Sequence, residues 1–461
     1  MQLPDDIVDW VEAEAGGSLV RADRVPGGAS REAWFIDVKT PAGSERPLFL
    51  RYSRVARPER TAFHPLNVEG EIFVALEGAG ATVPPIVAVH PGAEAILEQR
   101  VPGATWFYRI KEPDEQVRVA QDFIRKLAHV HSLDPRSLHI PSLGPVKTAR
   151  EHALDEIAAM RWRGTTPGGR MDPILRLAAD WLERNVPDDG RVVLVQGDTG
   201  PGNFMYDEGR VTAVVDWELA HWGDPMDDIA WLSLRTVQDT FTHFPDRIRE
   251  YEELTGATVD EDRVWYYRLF AEARMMTLSA AVDEPARAGA GREGAPVARD
   301  VGNGLIYGLL HRRLLLEALS HVIGVPLDAL ALDDPVDEPE WHGYYDATLD
   351  NLQVIVPRID DALASQWTKG VARVVKYLKE LDLRGRDFRD AERDEANALS
   401  GAASSDATRA RRDLEAAVAA GQVADEDYLR WLWHKVQRDG HLARTASGAL
   451  GTRTWPDLHD R

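Results

Sequence analysis

The chain has 461 residues, and its 76 Asp and Glu against 54 Lys and Arg leave a formal net charge of −22. That surplus of acid argues against a nucleic-acid or anionic-membrane partner, because polyanion binding is carried by clustered Lys and Arg. The absence of Cys excludes disulfides, thiolate nucleophiles and Cys-ligated metal centres, and 44% apolar residues over this length suit a globular chain of two or three domains.

The segment Met1 to Glu12 carries four acids and neither a basic start nor an apolar run, so it does not read as a signal peptide. No stretch of about 18 uncharged apolar residues occurs, which leaves no membrane span to expect and makes a soluble, cytoplasmic protein the expectation. The first hundred residues are short apolar runs punctuated by Gly and Pro. Residues 33–38 (AWFIDV), 47–52 (PLFLRY), 85–90 (PIVAVH) and 95–100 (AILEQR) are strand-like, rich in branched and aromatic side chains. One helix interrupts them over residues 67–80. There Glu69, Ile72, Phe73 and Leu76 fall at i, i+3, i+4 and i+7, so a carboxylate shares the buried stripe with three apolar residues.

From about residue 113 the period becomes helical, over 117–132, 150–160 and 172–185. A small β island follows, with strands expected at 192–195, 203–206 and 211–217. Asp224-Pro225 is a helix start, and the chain reads as helical from there to about 324. Residues 326–339 hold four Asp, one Glu and three Pro, an acidic linker. Beyond it, 344–381, 406–420 and 424–438 have helical character, with a break at 399–407.

The chemistry concentrates between Leu194 and Leu232. A strand ends and presents Asp198, Asn203 follows five positions later, a short hairpin intervenes, and Asp216 ends the next strand. Two carboxylates and a carboxamide at one sheet edge are hard oxygen donors of the kind Mg²⁺ takes beside phosphate oxygens. Asp198 and Asn203 are equally at home as turn residues in a loop rich in Gly and Pro.

The ordered set Gln196-Gly197-Asp198, Asn203, Asp216-Trp217-Glu218, Gly223-Asp224-Pro225 and Asp228 resembles the aminoglycoside phosphotransferase superfamily of kinase-like enzymes. That family includes choline and macrolide kinases and the kinase-like domain attached to some acyl-CoA dehydrogenases, to which this segment is most similar. The resemblance spans roughly residues 20–325 and implies an α+β, two-lobed kinase-like fold. It implies Mg²⁺ and ATP as cofactors, with Asp198 as base or orienter for the acceptor hydroxyl and Asn203 and Asp216 as metal ligands. Phosphoryl transfer suits such a set, since its loose transition state needs positioning and charge neutralisation above all. Asp224 and Asp228 read as residues that start the following helix.

The N-terminal lobe supplies the rest of the expected nucleotide site. Gly27, Gly28 and Ser30 lie in a turn between strand-like runs, where glycine lets backbone N–H groups approach phosphates; such a pair is also an ordinary hairpin turn. By the resemblance, Arg51 stands where the kinase fold has a phosphate-binding Lys, and the stripe residue Glu69 is its natural partner. Glu98 and Arg100 belong to the stretch resembling the hinge that meets adenine. Trp106, Phe107 and Tyr108 just beyond could stack on a ligand or pack in the core, and His129 and His131, two apart on a helix, share no face for a metal. Gln196 departs from the family's His; an amide can brace the loop with similar hydrogen bonds.

The expected domains are thus a nucleotide-binding lobe (1–100), a catalytic helical lobe (101–325), an acidic linker (326–340) and an appended helical domain (341–461) that packs on the helical lobe or on a second copy as a homodimer. The expected activity is Mg-ATP-dependent phosphorylation of a hydroxyl on a small molecule, a hydroxyacyl or lipid-like alcohol ahead of an aminoglycoside or macrolide. A catalytically weak or inactive nucleotide-binding relative is the alternative, and a Mg²⁺-dependent phosphatase lacks its nucleophile motif.

Overall fold

The computed structural model describes residues 3–25, 31–53, 61–166, 168–188, 190–287, 301–332 and 340–460. They form two compact units, one of residues 1–156, 186–267 and 456–461, the other of residues 157–185 and 268–455.

The first unit opens with helix α1 (Asp5–Ala15), whose first turn carries Asp5 and Asp6 and whose end is set by Gly16 at φ 66°. A five-stranded antiparallel sheet follows: β1 (Ser18–Val25), β2 (Glu32–Lys39), β3 (Glu45–Tyr52), then helix α2 (Leu66–Gly78), β4 (Ile86–Val89) and β5 (Ala95–Gln99), in the order β1-β2-β3-β5-β4. Alternation divides the sheet. Trp34, Ile36, Val38, Leu48, Leu50 and Leu97 bury against Ile7 and Val11 of α1. The registers Ala33↔Arg51, Phe35↔Phe49 and Phe49↔Glu98 then place Arg51 and Glu98 on the opposite face. There α2 presents Glu69, Ile72, Phe73 and Leu76, all buried as the stripe requires, with the Arg51 guanidinium 5.4 Å from the Phe73 ring centroid.

The helical part continues with α3 (Pro113–Ser132) and α4 (Ala149–Gly164), then α5 (Pro173–Arg184), started by Asp172 accepting from the Ile174 amide at 3.0 Å. Next come β6 (Val193–Val195), β7 (Phe204–Asp207), β8 (Arg210–Val214) and β9 (His221–Gly223), then α6 (Pro225–Gln238), α7 (Phe244–Thr255) and α8 (Glu261–Arg287). The island is two antiparallel pairs, β6 with β9 and β7 with β8. Phe123 of α3 stacks on Phe204 at 4.5 Å, and Phe107 meets Phe241 at 4.9 Å, so Phe107 is core rather than ligand platform.

The second unit adds α9 (Val301–Ile323), α10 (His342–Ile355), α11 (Ala362–Ser400), α12 (Ala407–Ala419), α13 (Asp425–Leu442) and α14 (Arg444–Ser447) to α5 and the end of α8. Helices α11 and α13 pack on α9, and Trp455 donates to the Leu314 carbonyl at 3.2 Å. The expected break at 399–407 is the turn between α11 and α12, while the helical character at 344–381 divides into α10 and α11 around Pro357. The acidic linker lies partly outside the described residues. The class is α+β with an appended helical region.

Candidate active site

The loop from Gln196 to Asn203 is held from below by one carboxylate. Asp228, in the first turn of α6, accepts from the amides of Gln196 (2.9 Å) and Gly197 (3.0 Å), from His131 Nε2 (3.0 Å) and from the Thr199 hydroxyl. His131 is fully buried, and its Nδ1 lies 2.7 Å from the Tyr251 hydroxyl. With Nε2 donating to a carboxylate and Nδ1 against that hydroxyl, both ring nitrogens are partnered. Burial alone would raise the Asp228 carboxyl, but these donors hold it below its ordinary value. Asp224 starts α6 by accepting from the Met226 amide at 2.9 Å and pairs with Arg263 at 3.0 Å. Asp224 therefore caps the helix, and Asp228, in its first turn, spends its bonds on anchoring the loop.

Gly197 needs its freedom: its φ is 81°, and a Cβ there would stand 2.4 Å from the Leu219 carbonyl oxygen. Gln196 donates through Nε2 to the Val215 carbonyl at 2.7 Å, tying the loop to the residue before Asp216. This is the bracing anticipated for an amide in place of His. Its Oε1 is buried without a hydrogen-bond partner.

Asp198 and Asn203 are brought together. Asn203 Nδ2 donates to the Asp198 carbonyl and to Asp198 Oδ2, each at 2.7 Å. Both bonds use the amide nitrogen, which leaves Asn203 Oδ1 without a partner among the described residues. Asp216 has φ 64°, a left-handed conformation that costs a non-glycine residue about 1–3 kcal/mol and is characteristic of functional positions. It makes no hydrogen bond or ion pair with the described residues, yet its charge reaches both neighbouring acids. The Asp198 carboxyl is pushed up to about 6 by burial, with the Asp216 charge adding to this and Arg235 opposing it. Glu218 is pushed up to about 7 by burial and by Asp216, against Arg31 and Arg51. Two unpartnered hard oxygens, Asn203 Oδ1 and an Asp216 carboxylate, beside raised acids are a donor set that fits Mg²⁺.

On the sheet side, Arg51 pairs through Nη1 with Glu69 Oε2 at 2.8 Å and through Nε with Glu98 Oε1 at 2.9 Å. Its Nη2 is buried with no partner among the described residues, a spare donor suited to a phosphate oxygen. Arg100 lies on the same sheet face, 4.9 Å from the Phe35 centroid, with Nε and Nη2 bonded to Asp37 and the Ile36 and Leu48 carbonyls. Gly27, Gly28 and Ser30 lie outside the described residues.

Sequence reasoning missed three participants. Arg31 pairs with Glu69 and with Glu218 at 3.3 Å and donates to the His64 carbonyl. His64 bonds the chain at Glu218 and Ala220, its amide to the Glu218 carbonyl at 2.7 Å and its Nε2 2.6 Å from the Ala220 oxygen. Arg235 meets Asp198, Nε to Oδ1 at 3.1 Å and Nη2 to Oδ2 at 3.2 Å. One signal for Arg235 was present: it lies seven residues after Asp228 on α6, two turns along the same face.

A β-rich lobe, a helical lobe and a loop that brings Asp198 and Asn203 together place the chain in the kinase-like phosphotransferase class. The chain belongs to the phosphotransferase enzyme family, whose family model matches residues 22–265. Among curated relatives it is 30% identical over 158 residues to acyl-CoA dehydrogenase family member 11 of Rattus norvegicus, covering 34% of this chain and 20% of that protein. It is 26% identical over 234 residues to the Homo sapiens counterpart, covering 45% and 29%. The chain thus spans less than a third of the length of these two relatives. A solved putative aminoglycoside phosphotransferase from Ralstonia eutropha superposes with TM-score 0.54 at 18% identity, over 69% of this chain and 97% of that one, a likeness of fold. Among the described residues no helix is long and apolar enough to cross a membrane.

Proposed function

We propose that the chain transfers the terminal phosphoryl group of Mg-ATP to the hydroxyl of a hydroxyacyl or other lipid-like small alcohol, in the cytoplasm. The observation that carries the reading is the pairing of a fixed carboxylate with an uncompensated one: Asp198 clamped by Asn203, and Asp216, at positive φ, without a hydrogen bond or ion pair among the described residues. Asp198 accepts the hydrogen bond of the acceptor hydroxyl and aligns its oxygen. Asn203 Oδ1 and Asp216 hold Mg²⁺, which when bound neutralises phosphate charge. Arg51, held by Glu69 and Glu98, offers Nη2 to a phosphate oxygen, and Gly27, Gly28 and Ser30, outside the described residues, are assigned to the phosphates by the resemblance alone. The stretch containing Glu98 and Arg100 borders adenine through its backbone.

The acceptor class rests on the similarity to proteins named for acyl-CoA dehydrogenation, and the alternative is an aminoglycoside or macrolide. ADP release from Mg-ATP, measured with hydroxyacyl-CoA thioesters, kanamycin and erythromycin, tests it. Turnover on the thioesters is expected; turnover on kanamycin or erythromycin alone would reverse the choice. A homodimer through the appended helices is the further proposal, supported by the exposed apolar residues Val354, Ile355, Val371 and Leu378 on α10 and α11. Light scattering at the monomer mass would remove it.

A further inference from the structure

Arg235 is the cation bonded to the carboxylate that receives the acceptor. It reaches Asp198 from α6 across the glycines of the loop. At Gly200, with φ 144°, an added Cβ would stand 2.6 Å from Arg235 Cβ, and at Gly202, with φ 98°, one would stand 3.7 Å from Nη2. Gly200 thus leaves room for this side chain beside the loop, while at Gly202 the contact would be an ordinary one. The guanidinium has five N–H donors, and two hydrogen bonds use them, one to Asp198 Oδ2 at 3.2 Å and one to Gln238 Oε1 at 3.1 Å. Nε lies 3.1 Å from Asp198 Oδ1 but is left without a hydrogen bond. Beyond these contacts Nη1 and Nη2 each carry a further N–H, and 24% of the side chain is open to solvent.

Geometry then limits what those donors can meet. An acceptor oxygen bonded to Asp198 lies about 3 Å from the carboxylate, and the phosphorus it attacks lies about 3–3.5 Å further on. A group already in contact with Asp198 is therefore beside the equatorial oxygens of the phosphoryl group in transit. We propose that Arg235 is a catalytic residue of the transfer, binding those oxygens from the acceptor side while Arg51 serves the nucleotide side. The acceptor oxygen forms a bond to the γ-phosphorus, the bond to the β–γ bridging oxygen breaks with its electron pair leaving on ADP, and the acceptor proton passes to Asp198. Negative charge spread over the equatorial oxygens meets a delocalised cation that the fold holds in place, the condition under which a fixed charge lowers a barrier.

The inference rests on the phosphotransferase reading, and the test separates the two. Calorimetry measures binding of Mg-AMP-PNP and of Mg-ADP with and without aluminium fluoride, a mimic of the planar phosphoryl group, to wild type, Arg235→Gln and Arg235→Lys. Wild type is expected to bind ADP at least tenfold tighter with aluminium fluoride. Arg235→Gln should lose that gain with AMP-PNP affinity unchanged, Arg235→Lys should keep part of it, and kcat of Arg235→Gln should fall about 10³-fold. Circular dichroism melting of each variant within a few degrees of wild type keeps the comparison one of folded proteins. A full aluminium fluoride gain in Arg235→Gln, or no gain in a wild type that binds nucleotide, overturns the inference alone. A wild type that binds neither nucleotide overturns the phosphotransferase reading and this inference with it.

Discussion

Asp228 bears more of the loop than any residue that would touch substrate, and removing it gives a quantitative test of the site's architecture. In Asp228→Ala the amides of Gln196 and Gly197 lose their acceptor and, being backbone, cannot turn away. Each stranded buried N–H costs about 1–3 kcal/mol, and Thr199 and His131 lose a charged partner besides. Against this stands the relief of no longer burying a carboxylate, which makes about 3–5 kcal/mol the expected loss. Asp228→Asn should be milder, about 1–3 kcal/mol, because only one oxygen becomes a donor: either the Thr199 hydroxyl or the His131 ring then reverses its role, and one backbone N–H is stranded. Urea unfolding followed by tryptophan fluorescence measures both, and ADP release should fall at least a hundredfold in Asp228→Ala because Asp198 is no longer set. The pH dependence has a sign. The Asp228 carboxyl is held below its unfolded value of about 3.9, so its stabilisation is complete above that pH and is lost as pH falls through the folded value. The gap between wild type and Asp228→Ala should therefore close below about pH 4. A loss under about 1 kcal/mol with unchanged turnover would refute the reasoning.

Arg51→Ala should weaken Mg-ATP binding at least tenfold and also lower the melting temperature, since it strips a cation from the buried carboxylates of Glu69 and Glu98; Arg51→Lys should keep much of the stability, and fluorescence titration with a labelled nucleotide measures the binding of both folded variants. In the metal-free protein, carbon NMR should find the Asp198 carboxyl titrating near 6, ionised above and protonated below, and Arg235→Gln should raise that midpoint because a cation favouring the ionised form is gone. Adding Mg²⁺ should lower the Asp198 midpoint, and an unmoved midpoint would argue against a cation beside Asp216.

What the sequence made legible is what the chain keeps local. The stripe at Glu69, Ile72, Phe73 and Leu76 could be read because one helix carries all four, and residues 194–232 because loop, hairpin and helix start are contiguous. Strand β1 escaped notice because SLVRADRV buries none of its side chains fully, as suits a sheet edge. Arg31, His131 and Tyr251 were hidden for another reason. Their partners Glu69, Asp228 and His131 lie 38, 97 and 120 residues away, a separation no local pattern encodes. His131 was legible as structural, but the carboxylate it serves was not.

The central claim is the division of labour between Asp198 and the pair Asn203 and Asp216. Calorimetric titration with Mg-AMP-PNP, run beside ADP-release kinetics on Asp198→Asn and Asp216→Asn, tests it most directly. The account predicts that Asp198→Asn binds Mg-AMP-PNP within about twofold of wild type while turnover falls by orders of magnitude, and that Asp216→Asn loses both. Wild-type turnover in Asp198→Asn, or undiminished Mg-nucleotide affinity in Asp216→Asn, would contradict it.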